Sequence, residues 1–131
     1  MPFQKLYERA LSEEQHILSD PGIGFTDLPE TMAYVDMCDQ ALNDLPAGID
    51  TLFVLGIGGS ALGTAMVLDA FPEGIKRTVH VIDNIDSVDV NRHLNNLDPD
   101  RTALAVVSKS GSTLEPLALF ALFYGDRKSV V

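Results

Sequence analysis

Apolar segments without polar alternation follow one another, separated by helical segments, along the second half of the chain. The predicted strands span residues 51–56, 78–82 and 102–107, and the predicted helices span about residues 60–70, 87–95 and 113–124. Strands such as Leu52–Leu55 and Ala103–Val107 lack the period of two that a half-exposed sheet shows, so both faces of the sheet should be covered. This series predicts an α/β fold with a doubly wound parallel sheet.

The first part of the chain has the pattern of two amphipathic helices. Apolar residues recur at helical spacing from Phe3 to Leu18, and Pro29 is expected in the first turn of the second helix. The inner face of that helix would carry Met32, Val35, Cys38, Leu42 and Leu45. Cys38 is therefore expected to be a small buried apolar side chain. We divide the chain into an N-terminal helical segment, residues 1–48, and an α/β part, residues 49–131.

The last residues of the chain predict a further element of the sheet. Asp126-Arg127-Lys128 has the composition of a turn, and Ser129-Val130-Val131 is typical of the start of a fourth strand. Three parallel strands would leave a sheet edge open, which native proteins normally avoid. We therefore expect the α/β domain to be incomplete and the sequence to be the front portion of a larger protein.

Composition and charge limit the classes of partner. The chain has 131 residues, 46% of them hydrophobic, and a net charge of −10 from 19 acidic and 9 basic residues. This excess of acids, with no run of basic residues, argues against nucleic acid as a partner. No apolar run approaches the ~20 residues needed to cross a bilayer, and there is no signal-peptide pattern. We predict a cytoplasmic protein that does not enter a membrane.

Two turns carry the residues suited to binding an anion. The first, Gly56-Ile57-Gly58-Gly59-Ser60, follows the first predicted strand and is called the glycine turn below. A helix N-terminus offers unpaired N–H groups and a partial positive charge, so this turn suits a phosphate. Together with Ala61 it also fits the dinucleotide-binding fingerprint, with Asp83 placed as the ribose-binding acid, and it could equally be a plain tight turn. The glycine turn alone leaves these three interpretations open.

The second, residues 108–113, follows the third predicted strand and is called the serine turn below. It places four hydroxyls and one cation within six residues, which favours an anion site; these residues are Ser108, Lys109, Ser110, Ser112 and Thr113. The alternative is that Ser112 caps the next helix together with Glu115. If the strand order is 2-1-3, the first and third strands are neighbours, and the two turns meet in one crevice at the point where the winding reverses.

The remaining candidates are weaker. His80 lies inside a predicted strand, and His16 and His93 lie on predicted helices, so core or surface positions are expected for all three. No group of His, Asp and Glu has the spacing of metal ligands, and the single cysteine excludes a multi-cysteine site and an intrachain disulfide. We predict no metal site and no nucleophilic triad around Ser60.

The two motifs, in this order and spacing, are similar to a known family. Val54–Gly63 and Val107–Glu115, with Leu97–Thr102 between them, resemble the N-terminal sugar-isomerase domain of bacterial glucose-6-phosphate isomerases. The connector Phe25–Pro29 is similar as well, so the likeness extends over most of the chain. The resemblance implies a sheet of flavodoxin-like strand order.

The resemblance also implies a reaction and a set of binding residues. The family interconverts glucose 6-phosphate and fructose 6-phosphate through an enediol, without a metal or redox cofactor, and the resemblance implies a homodimer at full length. Its phosphate site would correspond here to Gly59, Ser60, Ser108, Lys109, Ser110 and Thr113.

The family's proton-transfer residues have no counterpart among residues 1–131. Its general-base glutamate follows a Gly-Gly-Arg segment that this sequence lacks, and its catalytic arginine, histidine and lysine also come from later sequence. We expect all of them beyond Val131, so that this chain alone binds but does not turn over substrate. The alternatives are a regulatory or amino-sugar phosphate domain that binds a sugar phosphate, or an NAD-dependent oxidoreductase.

Overall fold

A computed structural model describes residues 2–126 of the chain. These residues form two compact units that divide between Asp44 and Leu45. The predicted domain boundary at residues 48 and 49 lies four residues further along, and as an assignment of domains it stays a prediction. The expected fourth strand lies outside the described residues. None of the helices in the described part has both the length and the apolar character needed to span a membrane.

The first unit consists of helices only. Helix α1 spans Phe3–Ser19, a 3₁₀ helix spans Phe25–Glu30, and α2 spans Met32–Asn43. The prediction for Pro29 was wrong, because this residue lies inside the 3₁₀ helix and α2 begins after it. The prediction that Cys38 is buried was also wrong: its thiol is exposed, and α2 has no buried residue. Helical spacing indicated an apolar face correctly, but it does not specify what covers that face.

The second unit is the predicted α/β series. Its elements are β1 (Thr51–Leu55), α3 (Gly59–Ala70), β2 (Thr78–Ile82), α4 (Ser87–Asn95), β3 (Thr102–Val106) and α5 (Leu114–Asp126). The strands are parallel in the order β2-β1-β3, as the prediction required. The bounds of β2 and α4 agree with those predicted, whereas β1 and β3 each end one residue earlier.

The hydrophobic core lies between one face of the sheet and two helices. Phe53, Leu55 and Ile82 of the sheet pack with Val90 of α4 and with Leu119 and Phe123 of α5. Phe53 and Leu55 alternate with Val54 along β1, and Val54 is 5% exposed although it points to the opposite face. The central strand is therefore buried on both faces, which explains its lack of polar alternation.

Candidate functional site

The glycine turn and the serine turn leave the sheet side by side. Leu55 at the end of β1 is in register with Val106 at the end of β3, and the strands are parallel. The Val107 N–H donates to the Leu55 carbonyl at 2.9 Å, so the pairing continues to the point where both segments depart. The two turns therefore begin at the same carboxyl edge, on either side of the position where the winding reverses.

The glycine turn depends on two of its glycines for different reasons. Gly56 is buried, and a Cβ atom there would lie 3.0 Å from the backbone oxygen of Ser60. Gly58 has φ +57° and ψ −124°, a conformation that L side chains rarely adopt. The chain can consequently reverse from β1 into α3 within three residues, which brings the helix N-terminus close to the strand end.

The start of α3 presents donors that the protein itself does not use. The N–H of Ser60 donates to the Ile57 carbonyl at 3.2 Å, and that of Ala61 donates to the Gly58 carbonyl at 3.0 Å. Among the described residues, neither the N–H of Gly59 nor the hydroxyl of Ser60 has a hydrogen-bond partner. These two groups stand at the positive end of the helix dipole, where an anion would be stabilised.

The serine turn is a cluster of linked hydroxyls. Thr113 Oγ1 lies 3.3 Å from Ser108 Oγ and 3.4 Å from Ser110 Oγ. Ser108 Oγ accepts the N–H of Gly111 at 3.1 Å, and the positive φ of +68° at Gly111 lets the turn close. Two of the predicted site residues, Ser108 and Ser110, thus contact a third, Thr113, and all three are exposed or partly exposed.

Ser112 does not cap α5, contrary to the alternative interpretation of this residue. The helix begins at Leu114, and the Leu117 N–H donates to the Thr113 carbonyl at 3.4 Å, so Thr113 occupies the cap position. Ser112 Oγ instead donates to Ser110 Oγ at 3.0 Å, and its N–H donates to the same atom at 3.2 Å. The buried Pro116 fits at the third helical position because it has no N–H to leave unpaired.

Lys109 and Asp83 are exposed at the same edge of the sheet. Lys109 makes no ion pair with any residue between 2 and 126, so its charge is available to a ligand. Asp83 follows the last residue of β2 and accepts a hydrogen bond from Asn84 Nδ2 at 3.3 Å. The cap of α4 is Asp86, whose Oδ1 accepts the N–H groups of Val88 and Asp89 at 3.0 and 3.1 Å. The placement of Asp83 is compatible with a phosphate ligand and with a dinucleotide.

An aromatic and charged cluster that no local sequence pattern indicated lies towards the opposite, amino end of the sheet. His80 of β2 stacks on Phe53 with 4.7 Å between ring centroids, and His93 of α4 lies 5.1 Å from His80. Burial, followed by the charge of His93, lowers the pKa of His80. The register that pairs Phe53 with His80 would have indicated the first contact once the sheet was known. No group of three metal-ligating side chains occurs among the described residues.

An ion pair joins the strand starts beside this cluster. Arg101 Nε donates to Asp50 Oδ2 at 3.0 Å, and a second guanidinium nitrogen contacts the same oxygen. These hydrogen bonds, with one from Thr51, hold the pKa of Asp50 below its usual value. The backbone N–H of Asp50 and that of Thr51 both donate to the Arg101 carbonyl at 3.1 Å. Asp50 and Arg101 thus tie the start of β1 to the turn that precedes β3.

Comparisons with known proteins agree with one another. The chain is 34% identical over 123 residues to a probable glucose-6-phosphate isomerase of Haloquadratum walsbyi, covering 89% of this chain and 28% of that protein. It is 38% identical over 106 residues to a glucose-6-phosphate isomerase of Thermus thermophilus, covering 79% of this chain and 25% of that protein. The chain therefore spans about a quarter of the length of these curated relatives.

A solved structure and a family model also match the chain. A crystal structure of a hypothetical protein from Thermus thermophilus superimposes with a TM-score of 0.72 and 36% identity, covering 96% of this chain and 32% of that one. The family model of phosphoglucose isomerase matches residues 35–120, which include both turns and all three strands. The chain belongs to the phosphoglucose isomerase family.

Proposed function

We propose that this chain supplies the sugar-phosphate-binding part of an enzyme that interconverts glucose 6-phosphate and fructose 6-phosphate. The observation that carries the proposal is the departure of the glycine turn and the serine turn from adjacent parallel strands at one edge. The phosphate would lie between them and accept hydrogen bonds from Gly59, Ser60, Ser108, Ser110 and Thr113. Lys109 would add a positive charge beside it.

The hydroxyl geometry supports a site that is ready for a phosphate. The hydroxyl contacts within the serine turn measure 3.0–3.4 Å, whereas a good O–H···O hydrogen bond is about 2.7–2.8 Å. Exchanging these weak contacts for charge-assisted bonds to a phosphate would be favourable. The charge of −10 repels anions at long range, so binding must depend on such local donors.

In this proposal the phosphate group holds the sugar while other residues move the proton. A general base must lie within hydrogen-bond reach of the proton that it abstracts. The Gly-Gly-Arg segment that precedes this base in the family does not occur in residues 1–131. We therefore propose that binding and proton transfer come from different parts of the whole protein. The homodimer that the resemblance implies and the cytoplasmic location predicted from the sequence both stay predictions.

Calorimetry on the 131-residue chain tests the binding half of this proposal. Fructose 6-phosphate should bind, fructose without the phosphate should not, and NADH should not. Asp83→Ala should leave binding of the sugar phosphate nearly unchanged, because Asp83 would matter only for a dinucleotide. Binding of NADH that is abolished by Asp83→Ala, with no binding of fructose 6-phosphate, would overturn the proposal in favour of an oxidoreductase.

A coupled assay tests the division of labour. At high concentration the 131-residue chain should show no isomerase activity, while the full-length protein should be active. The chain should be expressed in a host that lacks its own isomerase, so that contamination is excluded. Turnover by the short chain would show that the proton-transfer residues lie within residues 1–131.

A further inference from the structure

Two histidines from different elements meet over one buried aromatic ring. His80 of β2 stacks on Phe53 of β1, and His93 of α4 meets the same ring edge-on, with 5.6 Å between centroids. Phe53 is 3% exposed, and both imidazoles are partly buried. Because one histidine belongs to the sheet and the other to a helix, this contact helps to attach α4 to the sheet.

Neither imidazole is neutralised by a partner. Among residues 2–126 no hydrogen bond or ion pair involves the side chain of His80 or His93. They line a cavity of about 380 Å³ at the amino end of the sheet. A partly buried imidazolium without an acceptor is unfavourable, and two of them 5.1 Å apart also repel each other.

Each charged group that lines this cavity has a hydrogen-bond or ion-pair partner other than the two histidines. It is lined by two acids, Asp50 and Asp98, and by two bases, Arg92 and Arg101. Asp50 is paired with Arg101, Asp98 accepts the N–H of Asp100 at 3.1 Å, and Arg92 is paired with Asp89. The helix α5 contributes the apolar Phe123 to Phe53 and no titratable group to the cavity. Among the described residues neither Asp50 nor Asp98 forms an ion pair with His80 or His93, so no carboxylate contact stabilises a doubly charged histidine pair.

We propose that the packing of His80 and His93 on Phe53 holds α4 against the sheet, and that the strength of this attachment depends on pH. It holds while at most one imidazole is charged, since a single imidazolium can still stack on an aromatic ring. The attachment weakens when both imidazoles are charged, because their mutual repulsion and the cost of desolvating them then act together. The lowered pKa of His80, caused first by burial and then by His93, has the direction that this arrangement requires.

The lowered pKa of His80 determines how the stability of the folded protein changes with pH. A histidine whose folded-state pKa lies below its ordinary value of 6.5 binds fewer protons in the folded than in the unfolded protein. The stability contributed by the contact is fully present above this pH and decreases as the pH falls below it. The same protons that destabilise the fold globally should open α4 locally first, because His93 lies in its last turn.

Nuclear magnetic resonance of the wild-type chain tests the proposal without any substitution. The ring protons of His80 should shift over the same pH range in which the amides of α4 lose protection. Amide protection factors in α4 should fall by a larger factor than those in α3 between about pH 8 and about pH 5. Unchanged relative protection of α4 across this pH range would overturn the proposal.

Substitutions distinguish the effect of the histidine pair on α4 from a general effect of acid on the protein. His80→Gln and His93→Gln should each remove the additional loss of protection in α4, while the control His16→Gln on α1 should keep it. Glutamine retains polarity but cannot become charged. If the loss in α4 persists in both variants, the histidine pair is not its cause. If either variant fails to fold, the relative protection of α4 in the wild-type chain decides the matter.

Discussion

A Cβ atom on Gly56 would lie 3.0 Å from the backbone oxygen of Ser60 and 3.1 Å from its carbonyl carbon. The end of β1 and the first turn of α3 are therefore in contact through their backbones. Backbone atoms cannot rotate away as the end of a flexible side chain can. This approach sets the distance between the strand end and the unpaired donors at Gly59 and Ser60.

We expect Gly56→Ala to destabilise the fold. The added methyl group must push α3 away from β1, and overpacking of this kind costs about 1–3 kcal/mol. Gly63→Ala is the matched control, because it lies within the same helix with nothing within 4 Å of the added Cβ. It should stabilise by about 0.5–1 kcal/mol through helix propensity. Urea unfolding of both variants measures the difference, and equal effects would show that the contact is unimportant.

We expect Gly58→Ala to be more harmful than Gly59→Ala, although the two glycines are adjacent. Gly58 has a positive φ of +57°, and strain of this kind costs about 1–3 kcal/mol for an L residue. Gly59 is the first residue of α3, has no positive φ, and has open space around its missing Cβ. Thermal unfolding of the two variants tests this order. A Gly59→Ala variant that is the less stable of the two would contradict it.

In the full-length protein, Ser108→Ala and Thr113→Ala should each weaken binding of fructose 6-phosphate. Each removes a charge-assisted hydrogen bond of roughly 1.5–3 kcal/mol, which is about tenfold to a hundredfold in affinity. Loss of this binding energy can also lower kcat, because the phosphate helps to hold the sugar in its reactive pose. Steady-state kinetics and calorimetry measure both effects.

Ser87→Ala is the control for these two variants. Ser87 also begins a helix at the carboxyl edge of the sheet, but it follows β2 and lies outside both turns. Its hydroxyl is exposed and has no hydrogen-bond partner among the described residues. Affinity should be unchanged in this variant. Unaltered affinity in Ser108→Ala and Thr113→Ala as well would remove the serine turn from the binding site.

The Asp50–Arg101 pair predicts an acid-dependent part of the stability. Because the pKa of Asp50 is lowered in the folded protein, first by Arg101 and then by Thr51, the unfolded chain binds more protons at acidic pH. The contribution is present above the ordinary value of 3.8 and disappears as the pH falls below it. Asp50→Asn should therefore lower the urea midpoint at neutral pH, with a difference from wild type that vanishes under acid.

Asp100→Asn serves as the comparison for this effect. Asp100 is exposed in the turn that precedes β3, and its side chain makes no ion pair with the described residues. Its substitution should shift the urea midpoint much less at every pH. An equal pH-dependent shift in both variants would indicate a general effect of net charge, which is −10, instead of the specific pair.

The alternation of apolar strands and helices was sufficient to predict the sheet. Burial on both faces removes the polar period from strands such as Leu52–Leu55, and chirality then leaves few possible connections. The predicted order with β1 between β2 and β3 is confirmed. Residue patterns also indicated both turns, because glycines and clustered hydroxyls at the ends of strands have local conformational and chemical causes.

Contacts between distant residues were decided only by the tertiary structure. The exposure of Cys38 and the packing of His80 and His93 on Phe53 depend on which faces meet, and helical spacing reveals a face without revealing its partner. The Asp50–Arg101 pair joins residues 51 positions apart, so no local pattern could indicate it. Local preferences act through neighbouring residues, whereas these contacts arise from the parallel register, which brings separate segments to the same end of one sheet.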